Sequence, residues 1–234
     1  MSLLKDAAEA IKSVAEGVEH IQKIAKAVQD GRDYLKLKHP EIRNDLSAMC
    51  AEMRNTLTAI AAASAILTHF RFTVAGSAVD SEPRAFNDHL IAHKEKAQVV
   101  MQSLQAMRGH CHLIKQHADS LRARAKSLNL DRLLLLFGID SAERDREVAD
   151  SLQDIYDEEM QAYRLASQLS LALQLALNEI SKALGPPGTM QPANVPAAAA
   201  LLGEYAEAFS RLESTSNYVA LELQQSIDVL EGRV

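Results

Sequence analysis

The sequence predicts an all-α protein: an elongated antiparallel bundle of about five long helices with coiled-coil-like packing. Three observations carry this expectation. Aromatic residues make up only 4% of the 234 positions and tryptophan is absent, while Ala, Leu, Gln and Glu abound. That composition favours helix and leaves little β-branched or aromatic material for a sheet. Proline and glycine cluster so as to leave five long segments between them, and within those segments apolar residues recur at alternating spacings of three and four.

The first helix is expected from about Ser2 to Asp30, ending near Gly31, with Leu4, Ala7, Ile11, Val14, Val18, Ile21, Ala25 and Val28 along one side. With Leu4 taken as heptad position a, the e and g positions are Ala8, Ala10, Ala15, Gly17, Gln22 and Ile24, where an isolated coiled coil usually shows charge. An apolar face this wide suits contact with two neighbours at once. The second helix starts at Pro40, a residue suited to a first helical turn, and runs to about Val74 before "AGSAVDSEP".

The third begins after Ser81 with Pro83 in its first turn and continues to about Leu128. Its seam is unbroken: Phe86, Leu90, His93, Ala97, Val100, Leu104, Met107, Cys111, Ile114, Ala118, Leu121, Ala125 and Leu128. At this length the helix spans about 65–70 Å. The fourth opens at Asp140, with Glu143 three residues on in the capping-box arrangement, and ends at Gly185. "GPPGTMQPANVP" (185–196) reads as a non-helical linker. The fifth helix is expected from about Ala197 to Glu231.

These elements imply a main bundle over 1–184, with a third–fourth helix hairpin (84–184) as its spine, then the linker. A C-terminal helix (197–234) packs on the bundle or on a partner. Charge supports the hairpin. Residues 140–159 carry nine acids and two arginines, a local charge of −7, against −6 for the whole chain. Arg122, Arg124, Lys126 and Arg132 sit at the other side of the turn. Antiparallel packing sets the two groups together, each on the end of a helix whose dipole it suits. Asp150, Asp154, Asp157 and Glu158 alternatively form an acidic docking site for a basic partner.

The net charge and a pI near 5.8 argue against a dedicated nucleic-acid binder, which needs clustered Lys and Arg. Two cysteines, Cys50 and Cys111, are too few for a disulfide framework, and "MSLLKDAAEAIK" lacks the apolar core of a signal peptide. A cytoplasmic protein is expected.

Three apolar stretches stand out. Residues 55–70, which include "LTAIAAASAILTHF", contain no Lys, Arg, Asp or Glu. Sixteen helical residues cover about 24 Å, short of a bilayer core. "LASQLSLALQLALN" (165–178) is again uncharged, and its alternate leucines make two stripes, Leu169/Leu173/Leu177 and Leu171/Leu175, both of which need cover. "LLLLFG" places Leu133, Leu134, Leu135, Leu136 and Phe137 at the hairpin tip, where an apolar turn has little reason to exist in a monomer. Core packing, a protein interface and conditional membrane insertion all accommodate these runs. α-Helical pore-forming proteins resemble the layout in architecture only, and no motif is shared with them.

Chemistry-bearing patterns are sparse. "HLIAH" sets His89 and His93 one helical turn apart, a metal-ligand spacing. "RGHCHLIKQH" adds His110, Cys111, His112 and His117, but His110 and His117 stand about 10.5 Å apart along the axis. No HExxH or CxxC is present, and no ligand from another helix can be named, so neither metal nor cofactor is expected. "RDYLKLKH" (Arg32 to His39) and "RAFNDH" (Arg84 to His89) resemble the Arg-then-His spacing of the all-helical HEPN ribonucleases. There is no phosphate-binding glycine loop, GxSxG or dinucleotide fingerprint.

The expectation is a non-catalytic module for protein–protein assembly, as scaffold, adaptor or oligomerisation element, with a protein or a second copy as partner. The alternatives are a membrane-active bundle that inserts its first helix or the 133–138 tip, and, third, a HEPN-like ribonuclease.

Overall fold

The computed structural model describes residues 3–30, 40–75, 82–128, 165–186 and 188–233. They form an all-α helical bundle, with no strand among the described residues. The helices are α1 (Leu3–Asp30), α2 (Pro40–Ala75), α3 (Pro83–Leu128), α4 (described over 165–184) and α5 (Val195–Glu231). Pro40 and Pro83 each occupy the first position of a helix, where a missing N–H costs nothing and the fixed φ already suits the turn.

Between α4 and α5 the chain turns on two devices. Gly185 adopts φ +93°, and its N–H donates to the carbonyls of Ser181 and Lys182 at 3.2 Å each. This is a left-handed cap that a residue with a Cβ would adopt only under strain. The Asn194 side-chain amide then donates to the carbonyl of Leu184 at 3.2 Å, satisfying a second orphan acceptor. The proline-rich stretch is not wholly irregular: Pro192–Asn194 makes one 3₁₀ turn, and α5 begins at Val195 with Pro196 in its first turn. At its far end α5 closes in a Schellman arrangement. Gly232, at φ +73°, donates to Val229 at 3.2 Å, and Arg233 N–H reaches the carbonyl of Asp228 at 2.8 Å.

The described residues divide into two compact units. The first takes 3–16 of α1, 59–75 of α2, 82–105 of α3, α4, the turn after it and α5 to 216. Its core holds Ala7 and Val14 from α1, Ile60, Leu67 and Phe70 from α2, Phe86 and Leu90 from α3, Leu169, Leu173 and Ile180 from α4, and Leu202 and Phe209 from α5. The Phe70 and Phe86 rings meet at 5.6 Å, tilted by 58°. Burial of each such Leu or Phe side chain stabilises by about 1.5–3 kcal/mol. Small residues at Ala61, Ala63, Ala172, Ala176, Ala198 and Ala206 are buried among them. The buried Ser64 hydroxyl donates to the Ile60 carbonyl at 2.8 Å, so it enters the core without an orphan donor.

The second unit takes 17–30, 40–58, 106–128 and 217–233. Val18, Ile21, Leu46, Met49, Cys50, Met53, Leu57, Val219, Leu223 and Ile227 form its core. Polar ties surround that core. Gln22 donates to Glu222 at 2.9 Å, Ser47 to Glu231 at 2.9 Å and Ser120 to Asp45 at 2.7 Å. Arg54 donates to Gln224, and the Ser226 hydroxyl reaches the carbonyls of Glu222 and Ala25 at 2.9 and 3.3 Å.

The apolar periodicities fall where burial requires them. Phe86, Leu90, His93 and Ala97 of the α3 seam are buried and Val100 is half-buried, while the seam side chains from Leu104 onward lie outside the described residues. On α1 the flanking Ala10 and Gly17 are buried along with Ala7, Val14, Val18, Ile21 and Ala25 of the main stripe, whereas Ile11 is half-buried and Ala8 exposed. Lys12 and Glu16 pair at 3.7 Å on its exposed side.

Candidate functional site

The uncharged run 55–70 lies chiefly inside the fold. Leu57 belongs to the core of the second unit, and Ile60, Ala61, Ala63, Ser64, Ile66, Leu67 and Phe70 to that of the first. The run lies within a longer, partly charged stretch of α2. Arg43–Ala75 is long and apolar enough to cross a membrane, and half of its most apolar window is buried. Outside 55–70 that stretch carries Arg43, Asp45, Glu52, Arg54 and Arg71, so its apolar character is concentrated in the uncharged run.

One side of the first-unit helices is not covered. Ala62, Ala65, Ile66 and His69 of α2 and Ala92, His93, Glu95, Lys96, Val99 and Val100 of α3 line an open groove of about 630 Å³. Val99 is 66% exposed at its rim, and Phe72, one turn beyond His69 on α2, is 75% exposed. Ile66 and His93 are its buried lining residues, and half-buried Ala65 and Ala92, with exposed Ala62, leave room where larger side chains would fill the space between the helices. Ile91 and Leu171 are also more than a third exposed.

The α4 leucines split between two surroundings. Leu169, Leu173 and Leu177 are buried, whereas Leu171 is 48% exposed and Leu175 half-buried. The second stripe is therefore the less covered one. The five residues Leu133, Leu134, Leu135, Leu136 and Phe137, and the acids Asp150, Asp154, Asp157 and Glu158, lie outside the described residues, as do Arg32, His39 and the Glu143 capping position.

At one end of the groove two imidazoles meet. His93 is 2% exposed, with its ring stacked on Phe70 at 4.6 Å and 18°. Its Nδ1 donates to the backbone carbonyl of His89 at 2.7 Å, and its Nε2 lies 3.4 Å from Nδ1 of His69, an exposed residue on α2. Burial pushes the His93 pKa below the ordinary 6.5. Its bond to the His89 carbonyl opposes this, and the charges of Lys96, His69 and His89 add to it. The net effect favours the neutral imidazole. The "HLIAH" spacing contributes a main-chain carbonyl from its first histidine, while the second nitrogen facing His93 comes from another helix. No group of three or more His, Cys, Asp or Glu with metal-binding geometry is present among the described residues.

Elsewhere the titratable groups fit structural roles. Cys50 is buried and its thiol is pushed up to about 12 by desolvation, which leaves it inert as a nucleophile at neutral pH. His117 Nδ1 lies 3.8 Å from Asp45 Oδ1, in the second unit. Arg84 is exposed and His89 half-buried on the same helix.

His69 is the residue that sequence reading passed over, as the penultimate member of an apolar run. Its signal emerges only if α2 is paired with α3, which sets His69 beside His93. Pairing the third helix with the fourth hides it. No protein-family model matches this chain, and no curated protein or solved structure matches it significantly. The fold and site geometry therefore define a class, an all-α bundle with an uncovered apolar groove, and functional inference rests on that geometry.

Proposed function

We propose that this chain is a non-catalytic assembly module, binding a protein partner or a second copy through its uncovered helical faces. The observation that carries this reading is the α2–α3 groove, lined by Ala62, Ala65, Ile66 and Ala92 with Val99 exposed at its rim. Contiguous apolar surface on a water-soluble fold is costly to leave wet, and small lining residues let a partner helix approach closely. Leu171 and Leu175 on α4 supply a second partly uncovered stripe.

The test is oligomeric mass by light scattering for wild type, Val99→Glu, and Leu171→Asp with Leu175→Asp, each checked for folding by circular dichroism. Loss of association, or of binding to a protein partner found by pull-down, in one of the folded variants identifies the face in use. Unchanged mass and unchanged partner binding in both sink the reading.

A second reading is favoured by one observation. Arg43–Ala75 is long and apolar enough to span a bilayer, although half of its most apolar window is buried in the folded chain. On this reading the bundle opens at a lipid surface. Dye release from anionic and neutral vesicles is its test: no release by folded protein eliminates it, and release that survives deletion of Met1–Asp30 excludes the first helix as the inserting element.

A further inference from the structure

We propose that His69 and His93 form a binding site for a transition-metal dication of the Zn²⁺, Ni²⁺ or Cu²⁺ class, entered from the α2–α3 groove. The inference is independent of the assembly reading and rests on four features of the geometry.

The first is distance. Nδ1 of His69 and Nε2 of His93 are 3.4 Å apart, long for a hydrogen bond between ring nitrogens. With metal–nitrogen bonds of about 2.0–2.1 Å and a tetrahedral angle of about 109°, two ligand nitrogens stand about 3.3–3.4 Å apart. The pair is already at ligand spacing.

The second is tautomer. Donation from His93 Nδ1 to the His89 carbonyl at 2.7 Å puts the proton on Nδ1 and the lone pair on Nε2, facing His69. A backbone carbonyl on the remote ring nitrogen is the outer-shell partner that ligating histidines commonly have, and it makes the ligand more basic.

The third is pre-organisation. Stacking on Phe70 at 4.6 Å holds the His93 ring in place, so ordering that ligand adds little entropic cost. His69 is exposed, and with its single proton carried on Nε2 the Nδ1 lone pair is available to the same ion.

The fourth is access. Both histidines line the open groove, so water fills the remaining coordination positions, with the Glu95 carboxylate among the groove's lining groups. Lys96 lines it too, and its charge opposes a bound cation. Lys96 is exposed, so water screens that repulsion without abolishing it. Two imidazoles plus water suit borderline metals over Mg²⁺ or Ca²⁺, which prefer oxygen ligands.

The experiment is calorimetric titration of the full chain with Zn²⁺ at pH 7.5, with paramagnetic resonance of the Cu²⁺ complex to count coordinated imidazoles. Wild type is expected to show a site whose Cu²⁺ spectrum reports two imidazole nitrogens. His69→Ala, an exposed change, should weaken Zn²⁺ binding by at least about tenfold, as even outer-shell changes do, and leave one nitrogen in the spectrum. Lys96→Gln should tighten binding. His112→Ala should leave it unchanged, and His93→Gln, checked for folding, should reproduce the loss. An isotherm and spectrum unaltered by His69→Ala would overturn the proposal, as would loss of the two-nitrogen signal in His112→Ala instead, or no Zn²⁺ binding by wild type up to millimolar metal.

Discussion

Two phenylalanines in α2, separated by a single residue, give the sharpest test of how the uncharged run is used. Phe70 is fully buried, packed against the Phe86 ring at 5.6 Å and stacked with His93 at 4.6 Å. Phe72, two positions on, is 75% exposed. Truncation of a buried Phe to Ala costs about 3–5 kcal/mol through lost burial and the cavity left behind. Here the ring contacts are lost as well, each worth about 0.5–1.5 kcal/mol beyond area. Phe70→Ala should therefore destabilise by about 4–5 kcal/mol, a large share of the 5–15 kcal/mol that typically holds a domain. Phe72→Ala should change stability by no more than about 0.5 kcal/mol, as surface substitutions do.

The assay is urea denaturation followed by circular dichroism and by tyrosine fluorescence, since two compact units require a check that both probes report one transition. With a slope of about 2–3 kcal/mol per molar urea, the Phe70→Ala midpoint should fall by roughly 1.5–2.5 M while the Phe72→Ala midpoint stays put. Equal midpoints for the two variants would refute the packing argument, because they would mean that this face of α2 is not the buried one in solution.

Three further outcomes follow from the same packing. An added Cβ at Gly203, inside α5, meets nothing within 4 Å, so Gly203→Ala should raise stability by about 0.5–1 kcal/mol through helix propensity, measured as a higher urea midpoint. The Tyr205 hydroxyl is buried with no hydrogen-bond partner, and burial, then Glu179 and Glu204, raises its pKa. Tyr205→Phe removes that desolvated group and should stabilise by about 1 kcal/mol.

His93 sets a pH dependence. Its folded pKa lies below the ordinary 6.5, so the unfolded chain takes up the proton first as pH falls. Its contribution is complete above about pH 6.5 and is lost as pH drops from there toward the folded value. His93→Gln should flatten that part of the stability–pH curve, and an unchanged slope would assign the acid sensitivity to other groups.

Helix class and most helix limits are legible in the sequence because they depend on local chemistry. Pro40 and Pro83 at first turns, Gly185 at the end of α4, and spacings of three and four require only neighbours along one helix. The same spacings single out Val14, Phe86 and Leu90, all of which are buried. An apolar stripe reports that a face is buried but carries no label for what buries it. Leu169 and Leu171 are alike in chemistry, yet one is covered and the other half-exposed, since only the arrangement of neighbouring helices distinguishes the two sides of α4. The alanine-lined groove and the His69–His93 pair are likewise tertiary facts. They join α2 to α3 across 24 positions of sequence, at a distance set by how closely the two helices pack. Local pattern determined that this chain is a set of amphipathic helices. Which polar and apolar groups then meet was decided by helix pairing, because hydrophobic burial is non-directional and is satisfied by any partner that excludes water.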